Sequence, residues 1–265
     1  MSAAESKPVI RVDVRDGVAE VLLDRPESRN ALNLPMCHQL RAAFTDLDSR
    51  PDVNVVLVRG AGPAFCAGAD LKERKGRDAE WVRQRRIAAF DCYAVIERCS
   101  RPVIAAVHGP VVGSGGEIAM ACDFAVAAAG TTFRFPEAHW GTVGATQRLQ
   151  RVIGKRLAKE LLFTNRVMSV DEALQRGLVA RVLDGDEFAV RVREIAASVA
   201  AAPRLAMMLT KQAVDLGSEL GIDGGIRVEL AAIERCLDSS DWNAGYERFQ
   251  QSVGSTARAD EGARS

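Results

Sequence analysis

Two periodicities divide this chain. Val9–Val14 and Val18–Leu23 alternate apolar and polar positions on either side of Asp16-Gly17, which predicts two antiparallel strands joined by a tight hairpin turn. Val53–Val58 and Val103–Val107 are short apolar runs and predict buried strands. Each runs into a glycine-rich loop, Gly60–Gly68 and Gly109–Gly116. Helical spacing marks Pro35–Leu47, with Pro35 in its first turn, and Ala79–Cys99, which ends before Pro102. A further helix is expected from about Glu117, then strands at Phe124–Ala127 and Phe133–Phe135. Beyond Thr146 the pattern is mainly helical: Gln147–Ile153, Lys155–Phe163, Val170–Gln175, Glu187–Ala200, Pro203–Gly217 and Ile226–Leu237, with one strand at Val179–Leu183. Recurring strand, loop and helix predict an α/β class with parallel pairing. The boundary is expected at 200, with a core at 1–200 and a helical subdomain at 201–265. Ser255–Ser265, rich in small and charged residues, is expected to fray.

Composition removes several alternatives. Lys+Arg and Asp+Glu are both 35, so the basic excess of a nucleic-acid binder is missing. Aromatic residues make up 5%, too few for a base-stacking platform. Cys37, Cys66, Cys92, Cys99, Cys122 and Cys236 contain no C-x-x-C pair and lie mostly among apolar neighbours, which suits reduced thiols in a cytosolic protein. Met1–Pro8 is polar, with no apolar stretch of a secretory signal, and the apolar run Ile118–Ala129 is broken by Asp123 and too short to span a bilayer.

The candidate chemistry lies in the loops. Ala67-Gly68-Ala69-Asp70 leaves backbone N–H groups uncovered, with Asp70 placed to open a helix; alone, its ordinary reading is a tight turn between strand and helix. Gly113-Ser114-Gly115-Gly116 offers N–H groups at a helix start but lacks the lysine of a P-loop and the spacing of a dinucleotide fingerprint. Glu117 follows it, either as a reactive carboxylate or as a first-turn residue that complements the helix dipole. Glu137 follows Pro136, whose fixed φ stiffens the chain, and its ordinary reading is a surface glutamate after a strand. Two carboxylates beside exposed N–H groups can do proton chemistry on a carbonyl compound. His38, His108 and His139 form no metal-binding spacing. Arg83-Gln84-Arg85-Arg86 is expected to be a solvated helix face.

Several ordered segments resemble the enoyl-CoA hydratase/isomerase (crotonase) superfamily: Leu23–Leu32 (LDRPESRNAL), Gly62–Lys72 (GPAFCAGADLK), Arg101–Gly109 (RPVIAAVHG), Thr146-Gln147-Arg148-Leu149 and Ala173–Val179. The resemblance covers about residues 9 to 250. It implies a crotonase-like spiral of β-β-α units followed by a C-terminal helical trimerisation region, assembled as a homotrimer or homohexamer. It implies an acyl-CoA substrate, with coenzyme A entering as part of the thioester and with no metal or redox cofactor. The thioester oxygen would lie in an oxyanion hole made by the N–H groups of Ala69 and Ser114, where the family usually has glycine at the second position. Glu117 and Glu137 match the two carboxylates of family hydratases, Glu117 as the main water-activating base and Glu137 as the main proton donor. Coenzyme A would lie near Arg25, Cys66, Ala67, Ala69, Asp70, Leu71, Lys72 and Ser114. The implied activity is hydration of a 2-enoyl-CoA in cytoplasmic fatty acid metabolism. A Δ3,Δ2-enoyl-CoA isomerase, a specialised dehydratase and a silent acyl-CoA binder are the alternatives.

One segment departs from the family. Family hydratases read E-x-x-x-G-x-x-P-x-x-G-G-T-Q-R-L, whereas Glu137 to Thr146 here is three residues shorter and lacks the proline-glycine part. The shorter loop either opens the acyl pocket to a bulkier group or loosens the placement of water, with His139 and Trp140 as candidates to compensate.

Overall fold

The computed structural model describes residues 8–239 together with Trp242, Gly245 and Tyr246. The expectations for Met1–Lys7 and Ser255–Ser265 fall outside the described residues. The chain divides into two compact units, one ending at Ala200 and the other beginning at Ala201.

In the first unit, β1 (Ile10–Arg15) and β2 (Val18–Leu23) form the antiparallel hairpin. Asp16 (φ 52°) and Gly17 (φ 79°) both take positive φ at the turn, as a two-residue hairpin of this hand requires. Four more strands, β3 (Val55–Gly60), β4 (Val103–Val107), β6 (Phe124–Ala128) and β9 (Arg181–Leu183), add in parallel, giving the order β1-β2-β3-β4-β6-β9. A second sheet has the order β5-β7-β8, from β5 (Pro110–Val112), β7 (Thr132–Arg134) and β8 (Met168–Ser169).

The period of two separates the two faces of the large sheet. Val55, Leu57, Ile104, Ala106 and Val126 pack against Phe188, Val192 and Ala196 of α7 (Phe188–Ala200). Val56, Val58, Val103, Ala105 and Ala127 face the larger core, built with α1 (Leu34–Ser49), α2 (Ala79–Glu97) and α3 (Ser114–Ala121). Asn33 caps α1 by accepting from the Met36 N–H, and Asp78 caps α2 by accepting from the Trp81 N–H. The first unit also contains α4 (Thr146–Ile153), α5 (Lys155–Thr164) and α6 (Val170–Gln175).

The second unit is a helical hairpin of α8 (Arg204–Ser218) and α9 (Ile222–Leu237). A groove of about 660 Å3 runs along it, lined in part by Val214, Leu220, Ile226, Ile233 and Leu237. Among the described residues no helix is long and apolar enough to cross a membrane. None of the six cysteines is in a disulfide and five are buried; burial pushes the Cys37 and Cys66 thiols up to about 11.

Three expectations need correction. The glycine-rich stretch after β4 is not all loop, because Pro110–Val112 pairs with Thr132–Arg134 as β5. Helix α3 starts at Ser114 rather than near Glu117, because Gly113 turns the chain at φ 46°. The arginine run on α2 is also not a solvated face. Arg85 is 1% exposed and donates from Nε to Glu73 (2.6 Å), while a second nitrogen donates to the Leu32 carbonyl. Arg83 and Gln84 of that run are exposed and both pair with Glu80.

Candidate active site

Three chain segments meet where β5 gives way to α3. The first is the loop from Cys66 to Asp70, fixed from both sides. Val112 N–H donates to the Cys66 carbonyl (3.1 Å), and Leu32 N–H donates to the Gly68 carbonyl (2.8 Å). Asp70 N–H returns to the Leu32 carbonyl at 2.9 Å. Ala69 therefore pairs as a parallel bridge with Leu32 while its own N–H points off that ladder. Gly115 allows the second segment to close on the first, since a Cβ there would lie 2.3 Å from the Cys66 carbonyl oxygen. Ser114 is the first residue of α3, where N–H groups have no intrahelical acceptor. Among the described residues, neither the Ala69 nor the Ser114 N–H has a protein acceptor.

The Ser114 side chain lies beside the Tyr93 phenol on α2. Burial pushes Tyr93 well above the usual phenol range; the Ser114 hydrogen bond opposes that rise and the charge of Glu117 adds to it.

The third segment carries Glu137, at the start of a short 3-10 turn, Glu137–Trp140. Gly113 and Gly144 make room for it: a Cβ at 113 would stand 2.3 Å from Glu137 Oε1, and one at 144 would stand 2.7 Å from its Cγ. Glu137 Oε2 is buried without a protein hydrogen-bond partner. Burial raises the Glu137 carboxyl above its ordinary value; its own backbone N–H opposes this, Glu117's charge adds to it, and Arg86 lowers it.

Glu117 lies one helical turn into α3 and is 5% exposed. Its Oε1 accepts from Ala145 N–H at 2.8 Å and its Oε2 from Arg148 Nη1 at 3.1 Å. Arg148 also donates to Glu97 (2.7 Å) and lies over the Tyr93 ring at 5.6 Å. Each carboxylate oxygen keeps a second lone pair, so these bonds orient Glu117 without exhausting it. Neither Arg148 nor Tyr93 is marked as functional by the sequence; the T-Q-R-L segment is the only signal for the former.

The remaining residues expected near a ligand divide in two. Leu71 and Lys72 are exposed at the loop edge. Arg25, in contrast, is an internal strut that pairs with Asp70 at 3.0 Å and donates to the Ala31 carbonyl at 2.5 Å. Cys66 is fully buried, Ala67 N–H is spent on the Arg29 carbonyl, and both therefore shape the loop. Asn30, also fully buried, donates to the carbonyls of Ala61 and Ala64 and locks the same region. His139 is engaged through Nε2 with the Phe163 carbonyl at 2.7 Å, and Trp140 is 53% exposed.

The sequence profile described as enoyl-CoA hydratase/isomerase matches residues 13–253. This chain belongs to the enoyl-CoA hydratase/isomerase family. It is 34% identical to a crotonyl-CoA hydratase of Syntrophomonas wolfei over 91% of this chain and 94% of that protein. It is 35% identical to a short-chain-enoyl-CoA hydratase of Clostridium acetobutylicum, over 84% and 87% respectively. The crystal structure of an enoyl-CoA hydratase from Bacillus anthracis superposes with a TM-score of 0.89 at 33% identity, covering 92% of this chain and 97% of that one.

Proposed function

We propose that this chain is an enoyl-CoA hydratase that adds water across the Cα–Cβ double bond of a 2-enoyl-CoA thioester. The carrying observation is Glu137: a carboxyl group held above its ordinary pKa by burial, with Oε2 buried and unpartnered, beside a second carboxylate. An unpaired buried oxygen is costly, and a reacting ligand is a reason to retain one. In the proposed scheme the thioester oxygen accepts from Ala69 N–H and Ser114 N–H, and each such donor is worth about 2.7–4 kcal/mol to the developing enolate. Glu117 takes a proton from water as the water oxygen bonds to Cβ. The π electrons move to the enolate oxygen, and Glu137 delivers a proton to Cα as the thioester carbonyl re-forms. The two groups titrate as a pair, so a pH profile reports the dyad. The reaction balances with substrate and water alone, without a metal or redox cofactor.

Coenzyme A is proposed to lie across the exposed edge at Leu71 and Lys72, with Arg25, Cys66, Ala67 and Asp70 shaping the loop behind it. A homotrimer or homohexamer is proposed because α9 exposes Ile222, Ile226, Leu230, Ile233 and Leu237 at helical spacing. Size-exclusion chromatography with light scattering tests it, and a monomer would refute it. Buried thiols outside any disulfide favour a reducing cytoplasmic compartment, and a short-chain enoyl substrate fits a place in fatty acid metabolism.

The test is conversion of crotonyl-CoA to 3-hydroxybutyryl-CoA by wild type, Glu117→Gln and Glu137→Gln. Each variant is expected to lose about 10²-fold or more in kcat. One observation favours a second reading: both Glu117 oxygens are already engaged, which leaves Glu137 as the only carboxyl of the pair with a free oxygen. A Δ3,Δ2-isomerase needs one carboxyl group. Full turnover of a 3-enoyl-CoA by Glu117→Gln, with no hydration by wild type, would favour it.

A further inference from the structure

The loop after Glu137 is short, yet each of its last four residues before α4 has a task. Thr142 and Val143 are both held by Arg86 of α2: Nη2 donates to Thr142 Oγ1 at 2.7 Å and to the Val143 carbonyl. Gly144 packs on the Glu137 side chain. Ala145, in the left-handed region at φ 54°, donates its N–H to Glu117 Oε1. Thr142 N–H also donates to the Glu137 carbonyl at 3.0 Å, closing the turn.

We propose that Arg86 is a positioning residue of this site, a guanidinium strap from α2 that holds residues 142–145 so that Gly144 and Ala145 fix the two carboxylates. It rests on the proton-transfer reading above. The strap supplies from another element the restraint that three more loop residues would provide within the loop. Arginine suits the task because the two N–H groups of that one guanidinium nitrogen are fixed in the plane of the group and reach both acceptors, whereas a lysine ammonium acts as a freely rotating point charge. Arg86 is half-buried. Arg74 and Arg85 are its cationic neighbours, and Glu73, the carboxylate among them, is spent on Arg85 and the Leu34 N–H.

Arg86 also contributes charge. Glu137 faces the negative Glu117 from α3 and the positive Arg86 from α2, with Arg148 of α4 and the neutral Tyr93 of α2 behind Glu117. His139, on Glu137's own turn, is tied to Phe163. Removing Arg86 leaves burial and Glu117 less opposed, so Glu137 holds its proton to higher pH.

The experiment compares Arg86→Gln, Arg86→Lys, Thr142→Val and, as control, Arg83→Gln, an exposed residue of the same helix paired with Glu80. Two readouts are taken: amide hydrogen exchange over residues 142–146 in the unligated protein, and kcat, KM and pH profile with crotonyl-CoA. Arg86→Gln should raise loop exchange about tenfold and lower kcat by roughly 10- to 100-fold, with a smaller change in KM and the alkaline limb moved to higher pH. Thr142→Val, which keeps the charge, should raise exchange and lower kcat by less. Arg86→Lys should leave the loop loose but hold the alkaline limb near its wild-type place. Loop exchange and kcat in Arg86→Gln and Thr142→Val equal to those of Arg83→Gln would overturn the strap. Raised loop exchange in both, with no enoyl-CoA turned over by wild type, would support the strap and refute the hydratase reading.

Discussion

Replacing Gly113 with alanine would drive a methyl group into Glu137. The Cβ of an alanine at 113 would lie 2.3 Å from Glu137 Oε1 and 3.2 Å from its carboxyl carbon. Carbon and oxygen settle at about 3.3–3.6 Å in such contacts, so the carboxyl group must retreat by about 1 Å. A misplacement of that size costs about 10²-fold in rate, equivalent to about 2.7 kcal/mol of transition-state stabilisation. The backbone adds its own cost, because Gly113 has φ 46° and ψ −104°, a region that L side chains rarely adopt. Strain of this kind is worth roughly 1–3 kcal/mol, or roughly 2–12 °C in Tm for a unit of about 200 residues. Gly76→Ala is the matched control, since Gly76 has φ 74° and nothing within 4 Å of its Cβ position. It carries strain without collision. Gly113→Ala should lose both stability and crotonyl-CoA hydration, and Gly76→Ala only stability. Wild-type kcat in Gly113→Ala, or an equal loss of kcat in Gly76→Ala, would refute the reasoning.

Three further outcomes follow from the same geometry. Glu137→Gln should raise Tm at pH 7: the folded carboxyl lies above its ordinary value, chiefly through burial, so ionisation at neutral pH costs folding free energy that the amide avoids. The advantage should shrink as pH falls through the raised value and vanish below about 4.3, the ordinary glutamate value; equal Tm at pH 7 would contradict it. Ser114→Ala should keep kcat within about threefold, because the proposed oxyanion donor is the backbone N–H; a 100-fold loss in steady-state assays would point to the hydroxyl instead. Arg148→Met should destabilise the fold by about 3 kcal/mol in urea unfolding, since it leaves buried Glu117 without its cation. The half-exposed Glu97 end contributes little to that figure, and a loss below about 1 kcal/mol would mean that Ala145 N–H alone suffices for Glu117.

What the sequence made legible was local or periodic. Asp16-Gly17 announces the hairpin because a two-residue turn with positive φ at both residues matches the twist of the flanking strands, and Val103–Val107 announces a buried strand because every position is apolar. The meeting of Glu117 and Glu137 was legible only through the family resemblance; that Gly113 and Gly144 are sites where a side chain would occupy the space of the second carboxyl group shows in the structure alone. β5 was hidden because three residues between glycines carry no period, and its pairing with Thr132–Arg134 is a property of the sheet. The arginine run misled for a related reason: four neighbouring polar residues resemble a wet helix face, yet Arg85 finds Glu73 and Arg86 finds Thr142, 56 positions away. Those partners also bear on the short loop. Three missing residues suggested a missing wall, and length alone cannot say otherwise. The structure closes the gap with parts from elsewhere: Ala145 accepts a left-handed conformation to aim its N–H at Glu117, and α2 lends Arg86 to hold the preceding turn. A deletion next to a reactive group is therefore a question about the elements packed against it, and here the answer lies on the helix whose charges looked least informative.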